Sequence, residues 1–434
     1  MGDLSGYLLL FLILVSGGIM PVSATGNAEG VAVQLVPEYF GPDSWFSGLN
    51  NDSVLYLNIY NESSRGTGCG LYLYSISENR TYPVASGNQE TCEHIVGNLY
   101  LGRHVSGDRV VWGDSMPAEI SLFEKNTGKN RIIPNMSTRG SGKSYSLRFG
   151  DATITETSRC NPVIDGDRVV FQQGFFCSTD HPTLDLYLLN LTSNEMKPVS
   201  EAPAAQQYPS LSGKYVVWED NRNGKDNPDV FMYNLVTGEE TAVCTNSSIQ
   251  RAPVVSGDYV AWLDFRHGSG TGQIYLYSIP TGSVTEITSG SMNHGEPFIS
   301  GDRIAYSECI PYLVDPRGLC HAAIYDIRTK TVRKIPGKTE NQIVRGFSGN
   351  RILYTEETDA VRELYLFTLE DEALTAVTKP QDQVDPNSKP GENQTSITSE
   401  NTPETTPSAP GFDNSLVTVM FFGLVALAVM KKNG

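Results

Sequence analysis

Short runs of β-branched and aromatic residues, broken by turns carrying Gly, Asn and Asp, dominate the middle of this chain. Residues 208–243 and 252–287 write one pattern twice. With Gly213 laid on Gly257, Pro209 falls on Pro253, Trp218 on Trp262, Asp220 on Asp264 and Arg222 on Arg266; Tyr233 and Gly238 fall on Tyr277 and Gly282. The register is about 44 residues, a period that marks propellers and solenoids. Within the second copy, Val-Val-Ser-Gly-Asp reads as a strand entering a turn, and Tyr-Val-Ala-Trp as a second strand. An Asp-x-Arg-x-Gly loop follows, then Ile-Tyr-Leu-Tyr as a third strand and the alternating Val-Thr-Glu-Ile-Thr as a fourth. Four short antiparallel strands make one propeller blade.

The grid extends both ways. The turn glycine recurs at Gly107, Gly166, Gly213, Gly257, Gly301 and Gly349, and Asn51, which also tolerates the left-handed region, holds the first place. Five residues later comes an aromatic each time: Tyr56, Trp112, Phe171, Trp218, Trp262, Tyr306 and Tyr354. Two further on stands an acid or amide: Asn58, Asp114, Gln173, Asp220, Asp264, Glu308 and Glu356. The third strands end near Tyr74, Phe123, Leu189, Tyr233, Tyr277, Tyr325 and Phe367, and Pro precedes the glycine by four at Pro162, Pro209, Pro253 and Pro297. The expected fold is all-β, a seven-bladed β-propeller over residues 32–379. Six blades plus an irregular cap is the alternative.

The Pro-x-x-Ser-Gly-Asp, Val-x-Trp-x-Asp-x-Arg-x-Gly and Ile-Tyr-x-Tyr-x-x-x-Thr-Gly pattern resembles the TolB-like β-propeller repeats of archaeal, methanogen-type cell-surface proteins. It is sharp in the fourth and fifth units and loose elsewhere. The resemblance implies a surface or interaction role and brings no catalytic residues with it.

The two ends bear on location. Residues 7–15 are apolar and Val22-Ser23-Ala24 suits a small-residue cleavage site, so a secretory signal over residues 1–24 is expected, although its leading residues lack Lys and Arg. Residues 380–409, rich in Pro, Ser, Thr, Asn and Glu, read as an extended linker. Pro410-Gly411-Phe412 then precedes an apolar run and Lys431-Lys432. Residues 410–434 resemble a PGF-type C-terminal sorting signal, which implies cleavage and lipidation. A plain transmembrane segment is the other reading, with the lysines inside. Either way the C-terminal anchor leaves the propeller at the cell surface.

Seven cysteines in an exported chain read as a disulfide framework. The local pairs expected are Cys69 with Cys92, Cys160 with Cys177, and Cys309 with Cys320, leaving Cys244 as a buried thiol or a site of intermolecular pairing. Glycosylation triplets begin at Asn61, Asn79, Asn135, Asn190, Asn246 and Asn393. Another begins at Asn51, whose turn position makes it doubtful. The formal net charge of −17 argues against nucleic acid, because no basic patch exists to neutralise phosphates.

The acid-or-amide column forms a ring on one face, where it could bind cations or a basic partner. The repeat carries Arg222 with Asp220 and Arg266 with Asp264, which favours a local structural role, with any surface ion pair worth about 0–1 kcal/mol. Residues 220–229 superficially resemble a calcium loop but have Arg222 at the third position and lack the distal Glu. Ser269 does not sit in a Gly-x-Ser-x-Gly elbow, and the six histidines, His94, His104, His181, His267, His294 and His321, lack metalloprotease spacing. No catalytic, cofactor or metal residue is assigned. The expectation is a non-catalytic interaction module, with surface-layer proteins or glycans as partners. An extracellular glycosidase or polysaccharide lyase, and a purely structural wall component, are the alternatives. Contacts are expected from the longest inserts, residues 124–159, 172–182 and Cys309–Cys320.

Overall fold

The computed structural model describes residues 24–370, apart from 39, 41–43, 63–65, 89–102, 114–118, 134–146, 150–151, 155–157, 175–183, 269, 312–313, 315–317 and 359–360. Cys92, Cys177, Asp114, Asn135 and Asn393 lie outside the described residues. So do residues 1–23 and everything after 370, including Pro410, Gly411 and Phe412.

Seven four-stranded antiparallel blades form a ring, and the six-bladed alternative falls away. Blade four is typical: Gln206–Ser212, Tyr215–Asp220, Asp229–Asn234 and Glu240–Cys244, from the channel outwards. The turn column behaves as the repeat demands. Gly107, Gly166, Gly213, Gly257, Gly301 and Gly349 take φ between 55° and 61°, and Asn51 takes 46°.

The aromatic column explains why the blades hold together. All seven side chains are almost fully buried. Trp218 packs on Val163, Val170 and Leu186 of blade three. Trp262 packs on Val217 and Val230 of blade four, and Tyr306 on Ala261 and Ile274 of blade five. Tyr56 closes the ring against Leu353 and Leu364 of blade seven. Each junction thus has its own hydrophobic core, supplied with one aromatic by the later blade.

Hydrogen bonds repeat with the same register. The residue before the turn position accepts the turn N–H of the next blade: Asn50 from Gly107, Ser106 from Gly166, Asp165 from Gly213, Ser256 from Gly301, Ser300 from Gly349, and Ser348 from Asn51. The junction between blades four and five is spanned differently. Arg103 of blade two crosses to it, and Nη1 donates to Leu211 O (3.4 Å) and Val255 O (2.8 Å). Arg103 occupies the place that Pro takes in four other units. Burial lowers its pKa to about 10, against the opposing pull of Asp165.

Two features depart from the linear repeat. The outermost strand of blade seven is Gly30–Leu35, from the start of the chain, paired antiparallel with Arg362–Leu369. Ala24–Asn27 adds a parallel edge to blade six, beside Thr331–Lys334. The expected insert at residues 124–159 also proves to contain the outer strand of blade two, Lys129–Ile132, and a separate hairpin of Leu147–Phe149 with Ala152–Ile154.

Candidate functional site

In each blade the first strand begins and the second strand ends on the same face of the ring. The connection entering a blade and the loop joining its second and third strands therefore both open there. On this connection face the Cys309–Cys320 disulfide (Cα–Cα 4.0 Å) clips blade six. Cys69 and Cys160 are also disulfide-bonded, with partners outside the described residues, and Cys244 is a free thiol.

The acid-or-amide column ends here, but Asp220 and Asp264 turn into their own blades. The Asp220 carboxylate is completely buried. It accepts hydrogen bonds from Trp218 Nε1 (2.8 Å), Arg222 N (2.9 Å), Arg222 Nε (2.8 Å) and Arg222 Nη2 (2.7 Å). Asp264 repeats this set with Trp262 and Arg266. Each guanidinium also stacks on a third-strand ring: Arg222 lies 3.9 Å from the Phe231 centroid and Arg266 4.1 Å from Tyr275. The expected surface ion pair is corrected: the acid is buried, so its loss costs far more than an exposed pair would. Asp220 is already engaged by Arg222, which disposes of the calcium-loop reading of its strand end. Glu356 accepts the Lys338 N–H (2.9 Å), and Asn58 Oδ1 accepts from Ser44 Oγ (3.4 Å). Glu308 lies 3.8 Å from Nε2 of buried His294, whose Nδ1 is 3.0 Å from Gly272 O. Among the described residues no group of three His, Cys, Asp or Glu is placed to hold a metal ion.

A different cluster forms at the channel mouth. Glu219, between Trp218 and Asp220, points to the opposite side of the strand and accepts the Ala252 N–H at 2.8 Å. This is one of a set of blade-to-blade contacts: Gln172 accepts the Tyr208 N–H and Ser307 the Val344 N–H. Tyr208 and Ala252 sit at bulges with φ 51° and 54°. Burial pushes the Glu219 carboxyl up to about 7; the Ala252 N–H and Arg251 pull it down, and Glu296 pushes it up. Tyr208 is raised by burial and by Glu219. Tyr208, Glu219, Arg251 and Glu296 therefore share one electrostatic environment, drawn from blades four, five and six. Periodicity hid this cluster, because its column reads Leu57, Gly113, Gln172, Glu219, Leu263, Ser307 and Thr355. A Glu standing where the sister blade has Leu263 was the available signal.

The glycosylation triplets fall in several settings. Asn79 lies exposed in a turn with φ 49°, and its Oδ1 accepts from Tyr74 (2.7 Å). Asn190 and Asn246 accept local backbone N–H bonds from Thr192 and Ser248. Asn61 is near the end of Ser53–Glu62. Asn51 is tied into the ring closure by Ser348.

No protein-family model and no curated protein matches the sequence. Solved structures do match. TolB from Acinetobacter baumannii is 18% identical, with a TM-score of 0.36 over 73% of this chain and 80% of that one. Oligogalacturonate lyase from Vibrio parahaemolyticus is 11% identical, with a TM-score of 0.51 over 81% and 99%. Acylaminoacyl peptidase from Pyrococcus horikoshii is 12% identical, with a TM-score of 0.52 over 80% of this chain and 56% of the peptidase. The expectation that this chain is not an enzyme is corrected by these matches: the solved structures it resembles are largely enzymes, so a missing motif excludes no catalysis. At such identities the likeness establishes the fold alone, a β-propeller.

Proposed function

We propose that this is a propeller tethered at the outer face of a membrane, which binds a partner at the channel mouth on its connection face. The observation that carries the reading is the convergence of Tyr208, Glu219, Arg251 and Glu296 there, while Asp220 and Asp264 are consumed within their own blades. The exterior address rests on the apolar segments at both ends. Bonded cysteines support it, since disulfides persist in oxidising compartments. Partners of suitable chemistry at such an address are surface-layer proteins and glycans.

Cross-linking on intact cells, followed by mass spectrometry, tests this. Neighbours should be captured by the wild type and lost from an Arg251→Ala/Glu296→Ala variant. Identical capture by both, or none above background, refutes the reading.

One observation favours a second reading, an extracellular carbohydrate-active enzyme. A buried carboxyl with a raised pKa that faces a second carboxylate is the arrangement used for acid–base work. Turnover of a polysaccharide by the pure protein, abolished in Glu219→Gln, would select it.

A further inference from the structure

Packing does not account for everything at the channel mouth. Gln207 stands opposite Glu219 across the first two strands of blade four, so both side chains share a face. Each is only 5% exposed. Gln207 Nε2 has no hydrogen-bond partner among the described residues. A buried donor left unpaired costs about 1–3 kcal/mol, so the fold gains nothing from an amide there.

Tyr208 is a second, independent anomaly. The left-handed region is unfavourable for a bulky aromatic side chain. The same bulge carries Asn161 in blade three, a residue type that tolerates this region, and the small Ala252 in blade five. A bulge re-aims its side chain, and here the one re-aimed is a ring beside Glu219, Arg251 and Glu296.

The charges narrow the ligand. Arg251 and Glu296 oppose each other, and Glu219 carries its proton below about pH 7. With Glu219 protonated, the charges of Arg251 and Glu296 offset, so net charge favours neither an anion nor a cation. What remains is a set of donors and acceptors around an aromatic ring, chemistry that suits a neutral polyhydroxylated ligand.

We propose that the mouth between blades four and five is a subsite for a neutral saccharide, with the Tyr208 ring against the sugar and Gln207 and Glu219 holding its hydroxyls. This rests on the functional reading above and gives that site its ligand class. The neutral carboxyl of Glu219 can donate as well as accept, whereas its ionised form only accepts.

Calorimetric titration of the purified full-length chain with maltotriose, cellotriose and mannotriose, at pH 5.5 and 8.5, tests the proposal. At least one neutral trisaccharide should bind, more tightly at the lower pH. Tyr208→Gly removes the ring and relieves the backbone, so thermal stability should be retained while affinity falls about tenfold or more. Glu219→Gln keeps an acceptor for Ala252 and a donor for the sugar, so binding should persist and lose its pH dependence. Three results would each overturn the proposal: no trisaccharide binding, unchanged affinity in Tyr208→Gly, or tighter binding of trigalacturonate than of every neutral sugar. If cellular cross-links still depend on Arg251 and Glu296 while no sugar binds, the subsite fails and the partner-binding reading stands.

Discussion

Replacing Asp220 with alanine should be among the most damaging single changes in this propeller. The carboxylate is fully buried and accepts four hydrogen bonds, one from Trp218 Nε1 and three from Arg222. Its removal strands the buried indole N–H, at about 1–3 kcal/mol. It also deprives Arg222 of its main partner, although the guanidinium keeps Glu240 at 2.7 Å and its stack on Phe231. Breaking a buried pair from one side typically costs about 3–5 kcal/mol, and Asp220→Ala should fall in that range. Asp220→Asn retains one acceptor but sets an amide N–H₂ against donors, so about 2 kcal/mol is expected. Urea unfolding, followed by tryptophan fluorescence, reads both. An Asp220→Ala/Arg222→Ala cycle should give a coupling of about 1.5–3 kcal/mol. A loss within about 1 kcal/mol of wild type, the range of exposed pairs, would refute the reasoning and imply that water replaces the carboxylate.

Other outcomes follow from the same geometry. Because the folded-state pKa of Glu219 is raised from 4.5 to about 7, folding retains a proton that the unfolded chain releases. Its contribution is therefore full below pH 4.5 and declines as pH rises to 7. Glu219→Gln should gain on wild type by up to about 3 kcal/mol across that window, in unfolding curves taken at successive pH values; a parallel pH profile would contradict this. Cys309→Ser/Cys320→Ser should lose about 2–3 kcal/mol in urea unfolding, as expected for opening a short loop, without altering the capture of partners. A chain beginning at residue 36 lacks the strand Gly30–Leu35 and exposes Arg362–Leu369 as an edge. Faster hydrogen exchange across residues 362–369 and concentration-dependent association should result, and exchange unchanged from wild type would refute the closure role.

Much of the fold was legible because the repeat writes local rules. A left-handed turn requires Gly or Asn, and a buried inter-blade slot requires an aromatic. Those demands recur at one period, so Gly213, Trp218 and their equivalents announced seven blades. Trp218, Asp220 and Arg222 lie close along one strand end, so their bonding could be anticipated from spacing, although not the burial that makes it strong. Three things depended on the folded ring. The N-terminal strand found the vacant edge of blade seven because ring closure brings distant chain segments together. Arg103 reached blades four and five across the channel, a contact between units that no period relates. The Tyr208, Glu219, Arg251 and Glu296 cluster exists only where three blades converge, and its residues break the repeat instead of obeying it. Sequence periodicity reports what each blade needs for itself; the channel mouth belongs to none of them singly, and its chemistry arises from the curvature that makes neighbours of residues the period keeps apart.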